Sequence, residues 1–303
     1  MLSVTKTNKK NKINAGGLVF DIFNVVFMIL MSIIFLYPFI NVIAMSLSEV
    51  APITRGEVSW LPIGFNVEGY KIVFGQNLIW RAYGNTIILV VGGTLINVLC
   101  TAMIAYALAI PDYWLKKPLN VFLVITMFFN GGMVPTYLLI NNLGMINTYW
   151  SLIIPGSVAA YNVFVYRSFF KGISLTLREA AYLDGANDLR ILFQIYLPLS
   201  KALLATFGLF AAVGHWNRWF EPVFYLKNES MQPIATFLRK VLITSGAQGS
   251  GFEGVNDLVS SSLVHPKNVQ YATIVATIAP ILCVYPFIQK YFTKGIMLGA
   301  VKG

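Results

Sequence analysis

The stretch Glu179-Ala-Ala-Tyr-Leu-Asp-Gly185, followed by Ile195-Tyr-Leu-Pro198, decides how the rest of the chain is read. It is polar and charged, yet it lies between two apolar segments too long for ordinary core helices. Thr176-Leu-Arg-Glu179 has capping-box spacing, with a hydroxyl and a carboxylate placed to satisfy free backbone N–H groups, and predicts a helix start. Gly185 then ends or bends that helix, because glycine tolerates a left-handed backbone. Leu189, Ile191, Leu192 and Phe193 continue the apolar pattern to Pro198, whose fixed φ and missing N–H suit the first turn of a new helix. The expected unit is a short helix, a glycine turn and a second helix, lying at a membrane surface. An ordinary amphipathic surface helix with a charged rim would share part of this pattern.

Composition supports the membrane setting. The 303 residues are 57% hydrophobic and only 11% charged, where soluble domains carry about 25% charged residues. Mean hydropathy is +0.69. These values predict an all-α, polytopic membrane protein. In a soluble protein a net charge of +10 would suggest nucleic acid; here it reflects Lys and Arg held on the cytoplasmic side, and no nucleic-acid partner is expected. Cys100 and Cys283 lie in apolar stretches and read as small buried residues. His215 and His265 are far apart, and no metal site is expected.

Six membrane crossings are predicted. A cytoplasmic N-tail, 1–17, carries Lys6, Lys9, Lys10 and Lys12. The first span, about Leu18 to Leu47, is too long for a cleavable signal and is kinked or ended near Pro38. The second covers about Tyr83 to Ile110, with Gly92-Gly93 permitting close helix packing. The third, about Leu119 to Ile140, is broken or bent at Asn130-Gly-Gly-Met-Val-Pro135. The fourth runs from about Trp150 to Phe170 and the fifth from about Leu199 to Leu226. An outer loop, 227–270, is Gly/Ser-rich around Ser245–Gly254, and Tyr271 to Ile288 forms the sixth span. The six-span domain is thus 18–290, with the polar loop at 174–198 and a cytoplasmic C-terminal tail at 291–303. Of 22 Lys and Arg, 14 fall on the side of the N-tail, seven on the other, and Arg218 within a span. That excess places both termini and the 174–198 loop in the cytoplasm.

The full spacing — Glu-Ala-Ala, three residues, Gly, nine residues, Ile, one residue, Leu-Pro — resembles the EAA loop of ABC importer permeases. Glu179, Ala180, Ala181, Gly185, Ile195, Leu197 and Pro198 fill every position of that motif, with Asp184 beside them. The tail Gln289-Lys-Tyr-Phe292, Gly295 and Gly299-Ala-Val-Lys-Gly303 is similar to that of carbohydrate-uptake permeases related to the second maltose permease. Gly131-Gly-Met-Val-Pro-Thr-Tyr137, Leu143-Gly-Met-Ile-Asn-Thr-Tyr149, Gly214-His-Trp-Asn217 and Tyr285-Pro-Phe287 resemble the subgroup that includes alginate and pectin-fragment importers. The resemblance runs from about residue 18 to the end. It implies a type I ABC importer permease fold in a bacterial cytoplasmic membrane. It implies a second, homologous permease, two ATPase subunits that grip the loop, and an extracellular or periplasmic sugar-binding protein. ATP and Mg would reside on the ATPases; this chain has no Gly-x-x-x-x-Gly-Lys-Ser/Thr loop, and it is expected to bind no cofactor of its own and to carry no catalytic residue.

The substrate pathway is expected around Gly214-His-Trp-Asn-Arg-Trp-Phe-Glu221. Trp216 and Trp219 offer apolar faces for sugar rings, Asn217 both donors and an acceptor, and Arg218 a bidentate partner for a carboxylate. A structural alternative is that Arg218 pairs with Glu221, three residues on, or snorkels beside a tryptophan belt. In relatives the position of Arg218 is often small or acidic, so it modestly favours an anionic oligosaccharide; a neutral one remains open. Asn130 and Asn162 are further pathway candidates, as are Asn85, Thr94, Asn97 and Tyr161, although such groups more often bond between helices. His215 reads as a packed residue. Two other classes fit less well. A membrane-embedded enzyme wants clustered carboxylates or histidines, and an ion-coupled transporter wants a mid-membrane carboxylate; the 12 Asp and Glu are scattered.

Overall fold

The computed structural model describes residues 15–111, 113–246 and 266–300. The described chain is a series of helices, and its one extended pairing is an isolated bridge between Ser48 and Phe65. Helix α1 (Ala15–Ser46) contains Pro38 without ending there. Its apolar side chains are largely uncovered, with Val19 at 66% and Phe35 at 69% exposure. A 30-residue apolar helix with no buried window suits lipid rather than water. Two short helices follow, α2 (Val50–Arg55) and α3 (Glu68–Gly75). Then comes α4 (Asn77–Ala109), the hub against which most later helices pack.

The predicted third span is interrupted, as its Gly-Gly suggests. It comprises α5 (Lys116–Phe128) and α6 (Met133–Asn142). Gly132, at φ +82°, takes a conformation that other residues resist. Asn130 Oδ1 accepts the Gly132 N–H at 3.0 Å, and the Thr136 hydroxyl donates to the Gly132 carbonyl at 2.7 Å. The fourth span differs from expectation. It is two helices, α7 (Trp150–Ile153) and α8 (Ala160–Phe170), because Pro155 and Gly156 interrupt the ladder. Asn97 of α4 donates to the freed carbonyls of Gly156 (3.3 Å) and Ser157 (3.1 Å). This is how a membrane protein tolerates irregular backbone: a neighbouring helix supplies the missing donor.

Next are α9 (Leu175–Leu183) and α10 (Asp188–Leu199). The fifth span is shorter than predicted. Helix α11 (Lys201–Trp216) ends just before a break, and α12 (Phe220–Tyr225) follows. The predicted outer loop contains a helix of its own, α13 (Ile234–Gly246). Its Gly/Ser-rich part lies outside the described residues except at its first positions. Helix α14 (Pro266–Ala300) contains Pro280 and Pro286 and continues through most of the segment expected as a separate tail. At its other end, α1 begins within the expected N-tail.

Close packing of α11 on α4 rests on Gly93, one of the two predicted glycines, while Gly92 faces Ile153 of α7. A Cβ at Gly93 would lie 2.4 Å from His215 Nε2, so the imidazole occupies the space glycine leaves. His215 is buried there, as its reading as a packed residue requires. Asn85 bonds between helices rather than lining a path: it donates to Ser230 O (2.8 Å) and Gln232 O (3.1 Å) and accepts from the Tyr149 hydroxyl (2.7 Å). One apolar cluster joins α4, α8, α10 and α11, and a second joins α3, α13 and α14 to the start of α4.

Replacing Asn97 by the similarly shaped Leu leaves two carbonyls without their donor. It should cost about 1–3 kcal/mol, read as a lower thermal unfolding midpoint in detergent. An unchanged midpoint would remove Asn97 from this account of the broken span.

Candidate functional site

The motif loop is built from caps and contacts that the sequence partly discloses. Helix α9 starts two residues earlier than the capping box predicted. Ser174 is its N-cap, accepting the Thr176 N–H at 3.3 Å, while Glu179 is exposed. At the other end Gly185 takes φ +79°. The Ala186 N–H bonds to Ala181 O at 2.9 Å and the Gly185 N–H to Tyr182 O at 3.0 Å. This pair of bonds is a Schellman motif, and it brings Ala181 and Ala186 together against the bundle's apolar cluster. Asn187 then caps α10, accepting the Arg190 N–H at 2.8 Å.

A polar anchor ties this unit to α4. The Tyr106 hydroxyl, nearly buried on α4, donates to Asp188 Oδ1 at 2.8 Å. Arg178 Nη2 lies 3.6 Å from the same oxygen, donates to the Tyr182 hydroxyl at 3.1 Å, and stacks 4.8 Å from the Tyr182 ring centroid. Burial opposes ionisation of Asp188. The hydroxyls of Tyr182 and Tyr106 and the charge of Arg178 outweigh it and hold the carboxyl below the usual carboxylate range. Below this anchor, the Tyr196 ring meets Tyr106 and Phe170 edge-on at 4.9 and 5.5 Å between centroids.

Helix α10 contains a π-helical turn, Leu192–Tyr196, closed by the Leu197 N–H on Leu192 O. Pro198 follows directly, with neither an N–H to give nor room for the ordinary ladder, and the widened turn accommodates it. Three residues later the long helix begins at Lys201, after a corner of 87°. The motif therefore divides by face. Ala181, Ile195 and Leu197 pack on the bundle, whereas Glu179, Ala180, Asp184, Gly185 and Pro198 are exposed. No residue of α9 is buried, and Leu183 at its tip is 90% exposed.

Helix α11 runs from that corner to a second feature roughly 24 Å away. There a cleft of about 360 Å³ opens between the end of α11, α13 and α14. It brings together Trp216, Asn217 and Trp219 of the predicted pathway. Arg218 turns elsewhere: its Nη1 donates to the Leu152 carbonyl, at the C-terminal end of α7, and its guanidinium lies against Gly156. No Arg218–Glu221 ion pair is among those of the described residues. Asn130, at the α5–α6 break, and Asn162, on α8, do not line the cleft. The residue that sequence reading missed is Arg239 of α13, whose guanidinium carbon sits 4.5 Å over the Trp219 ring centroid. Twenty residues separate the two positions, so no local pattern signals the pair.

Interrupted apolar helices around one hub, with a stapled loop exposed at one end, define a polytopic membrane protein. Comparison with known proteins narrows the class. Residues 84–297 match the family described as binding-protein-dependent transport system inner membrane component, and the chain belongs to that family. It is 36% identical to the polygalacturonan/rhamnogalacturonan transport system permease protein YtcP of Bacillus subtilis (strain 168), over 94% of this chain and 98% of the relative. It is 35% identical to protein LplC of the same organism, over 95% and 96% respectively. A chain from the crystal structure of a bacterial ABC transporter involved in the import of the acidic polysaccharide alginate superposes with a TM-score of 0.85 at 33% identity. That match covers 92% of this chain and 98% of that one. The fold is that of a type I ABC importer permease.

Replacing Asp188 by Asn, or Tyr106 by Phe, should loosen the loop without unfolding the bundle. Amide exchange across 175–191 should quicken roughly tenfold, as loss of a charge-assisted hydrogen bond implies; unchanged exchange would show that apolar packing alone holds it. In the parent the anchor is intact above the ordinary carboxylate pKa of about 3.9 and is lost only as pH falls through the still lower value in the folded chain.

Proposed function

We propose that this chain is one of two permease subunits forming the translocation pathway of an ATP-driven oligosaccharide importer. The observation that carries the proposal is the stapled loop itself: α9 has no buried residue, yet the loop is fixed to α4 through Tyr106 and Asp188. Such a segment suits gripping by a separate ATPase subunit. On this reading Glu179, Ala180, Asp184, Gly185 and Leu183 meet the ATPase, while Ala181, Ile195 and Leu197 hold the loop to the bundle. ATP and Mg stay on the ATPases, and this chain contributes no catalytic group.

The reading places six crossings at α1, α4, α5–α6, α7–α8, α11 and α14, in a bacterial cytoplasmic membrane with both termini inside. The boundaries remain 1–17 for the N-tail, 18–290 for the membrane domain and 291–303 for the C-terminal tail. A second permease completes the pathway, and a sugar-binding protein delivers substrate on the outer side, as the family description suggests. Trp216, Asn217 and Trp219 belong to the pathway on this reading; Asn130 and Asn162 stand away from that cleft.

The substrate class is an acidic oligosaccharide of pectin-fragment or alginate type. Support comes from the names of the relatives, which handle polygalacturonan, rhamnogalacturonan and alginate. Arg218 no longer argues for an anion, because its guanidinium is engaged by Leu152 O and packed on Gly156.

Gly185→Val places a β-branched residue where φ is +79°, and Leu183→Asp puts a charge on the exposed tip. In the assembled complex each should abolish sugar-stimulated ATP hydrolysis while the chain still inserts into the membrane. If both variants match the parent, this loop is not the coupling segment.

A further inference from the structure

The cleft at the end of α11 has features that a general sugar pathway does not require. Its lining combines Trp216 and Trp219 with Asn217, Thr277 and Arg239, and otherwise aliphatic side chains. Among the described residues no carboxylate lines it. At about 360 Å³ it falls at the small end of ligand pockets, which span roughly 300–1,000 Å³. Arg239 is half-buried, and among the described residues no ion pair joins it to an acid. Its neighbour Lys240 is bound to Glu229 at 2.8 Å, so the two adjacent cations have different surroundings. The Trp219 ring beneath the Arg239 guanidinium, 4.5 Å away, restrains the side chain without neutralising its charge. An Arg held this way keeps its fork of donors for a planar carboxylate.

We infer that Arg239, stacked on Trp219 and sharing its cleft with Asn217, forms a carboxylate-recognising subsite for a uronate unit of the transported oligosaccharide. The uronate carboxylate receives N–H donors from the guanidinium. Asn217 meets a ring hydroxyl, and an apolar ring face lies against tryptophan. The charge role expected of Arg218 is thereby assigned to a residue on a different helix, while Arg218 closes the end of α7. This inference rests on the proposed function, since it presumes that the cleft faces the pathway.

The test is uptake by the complete transporter in proteoliposomes with its binding protein. The probes are radiolabelled trigalacturonate, trimannuronate and the methyl ester of each, which removes the charge but keeps the ring. For whichever acid the parent transporter takes up, Arg239→Gln should reduce uptake at least tenfold relative to its ester, and Arg239→Lys should restore part of the preference. Arg218→Gln should lower acid and ester uptake together, as a structural residue would. If the parent prefers an acid and Arg239→Gln keeps the same acid-to-ester ratio, the subsite is overturned while the importer reading stands. If the parent takes up neither acid in preference to its ester, the acidic-substrate reading fails first, and this inference fails with it.

Discussion

The hydrogen bond from Tyr106 to Asp188 Oδ1, backed by apolar packing of Ala181, Ala186 and Tyr196, determines where the exposed loop sits on the molecule. Helix α9 is short and has no buried residue, and isolated helices of that length are marginal in water, so the anchor matters to it. The bond joins the segment that carries the exposed tip at Leu183 to α4. Helix α4 is also the surface on which α11 packs, with His215 filling the space at Gly93. Loop, hub and cleft are therefore connected through interior contacts rather than through the chain alone.

The same hub repairs one of two breaks in the membrane domain. Helices broken at Gly132 and Pro155 free backbone groups that lipid cannot satisfy. Asn130 closes the first break locally, and Asn97 reaches across to the second. Arg218 adds a cation at the end of α7, where backbone carbonyls concentrate partial negative charge. Polar side chains in these spans accordingly serve two ends. Asn85, Asn97 and Arg218 hold irregular backbone, whereas Asn217 and Arg239 face open space with aromatic neighbours. Telling these apart needs partners, since residue type is the same in both groups.

Much of the fold was legible in the sequence because its signals are local. The apolar stretches predicted α1, α4 and about half of α14, Gly131-Gly132 predicted the α5–α6 break, and Gly185 predicted the turn after α9. What stayed hidden depends on residues distant in the chain. Ser174 rather than Thr176 caps α9, because the turn before it sets the backbone. The π-turn before Pro198 reflects accommodation of the proline within a packed helix. Pro155 was visible, but its effect on α7 and α8 depends on Asn97 to receive the freed carbonyls. The pairing of Trp219 with Arg239 arises only when α13 folds back beside α12. Motif spacing could not say which of its residues face the bundle and which face outward.

The central claim is that the 175–199 loop and the Tyr106 end of α4 move as one body. The direct measurement is the distance between spin labels at Leu183→Cys and Met103→Cys, both exposed positions, in the assembled complex with Cys100 and Cys283 replaced by Ser. It would be recorded nucleotide-free and trapped with ATP and vanadate. The account predicts one narrow distribution that is the same in both states. A distribution that shifts by several ångströms or broadens on trapping would contradict it, because the loop would then flex against the bundle instead of carrying motion into it.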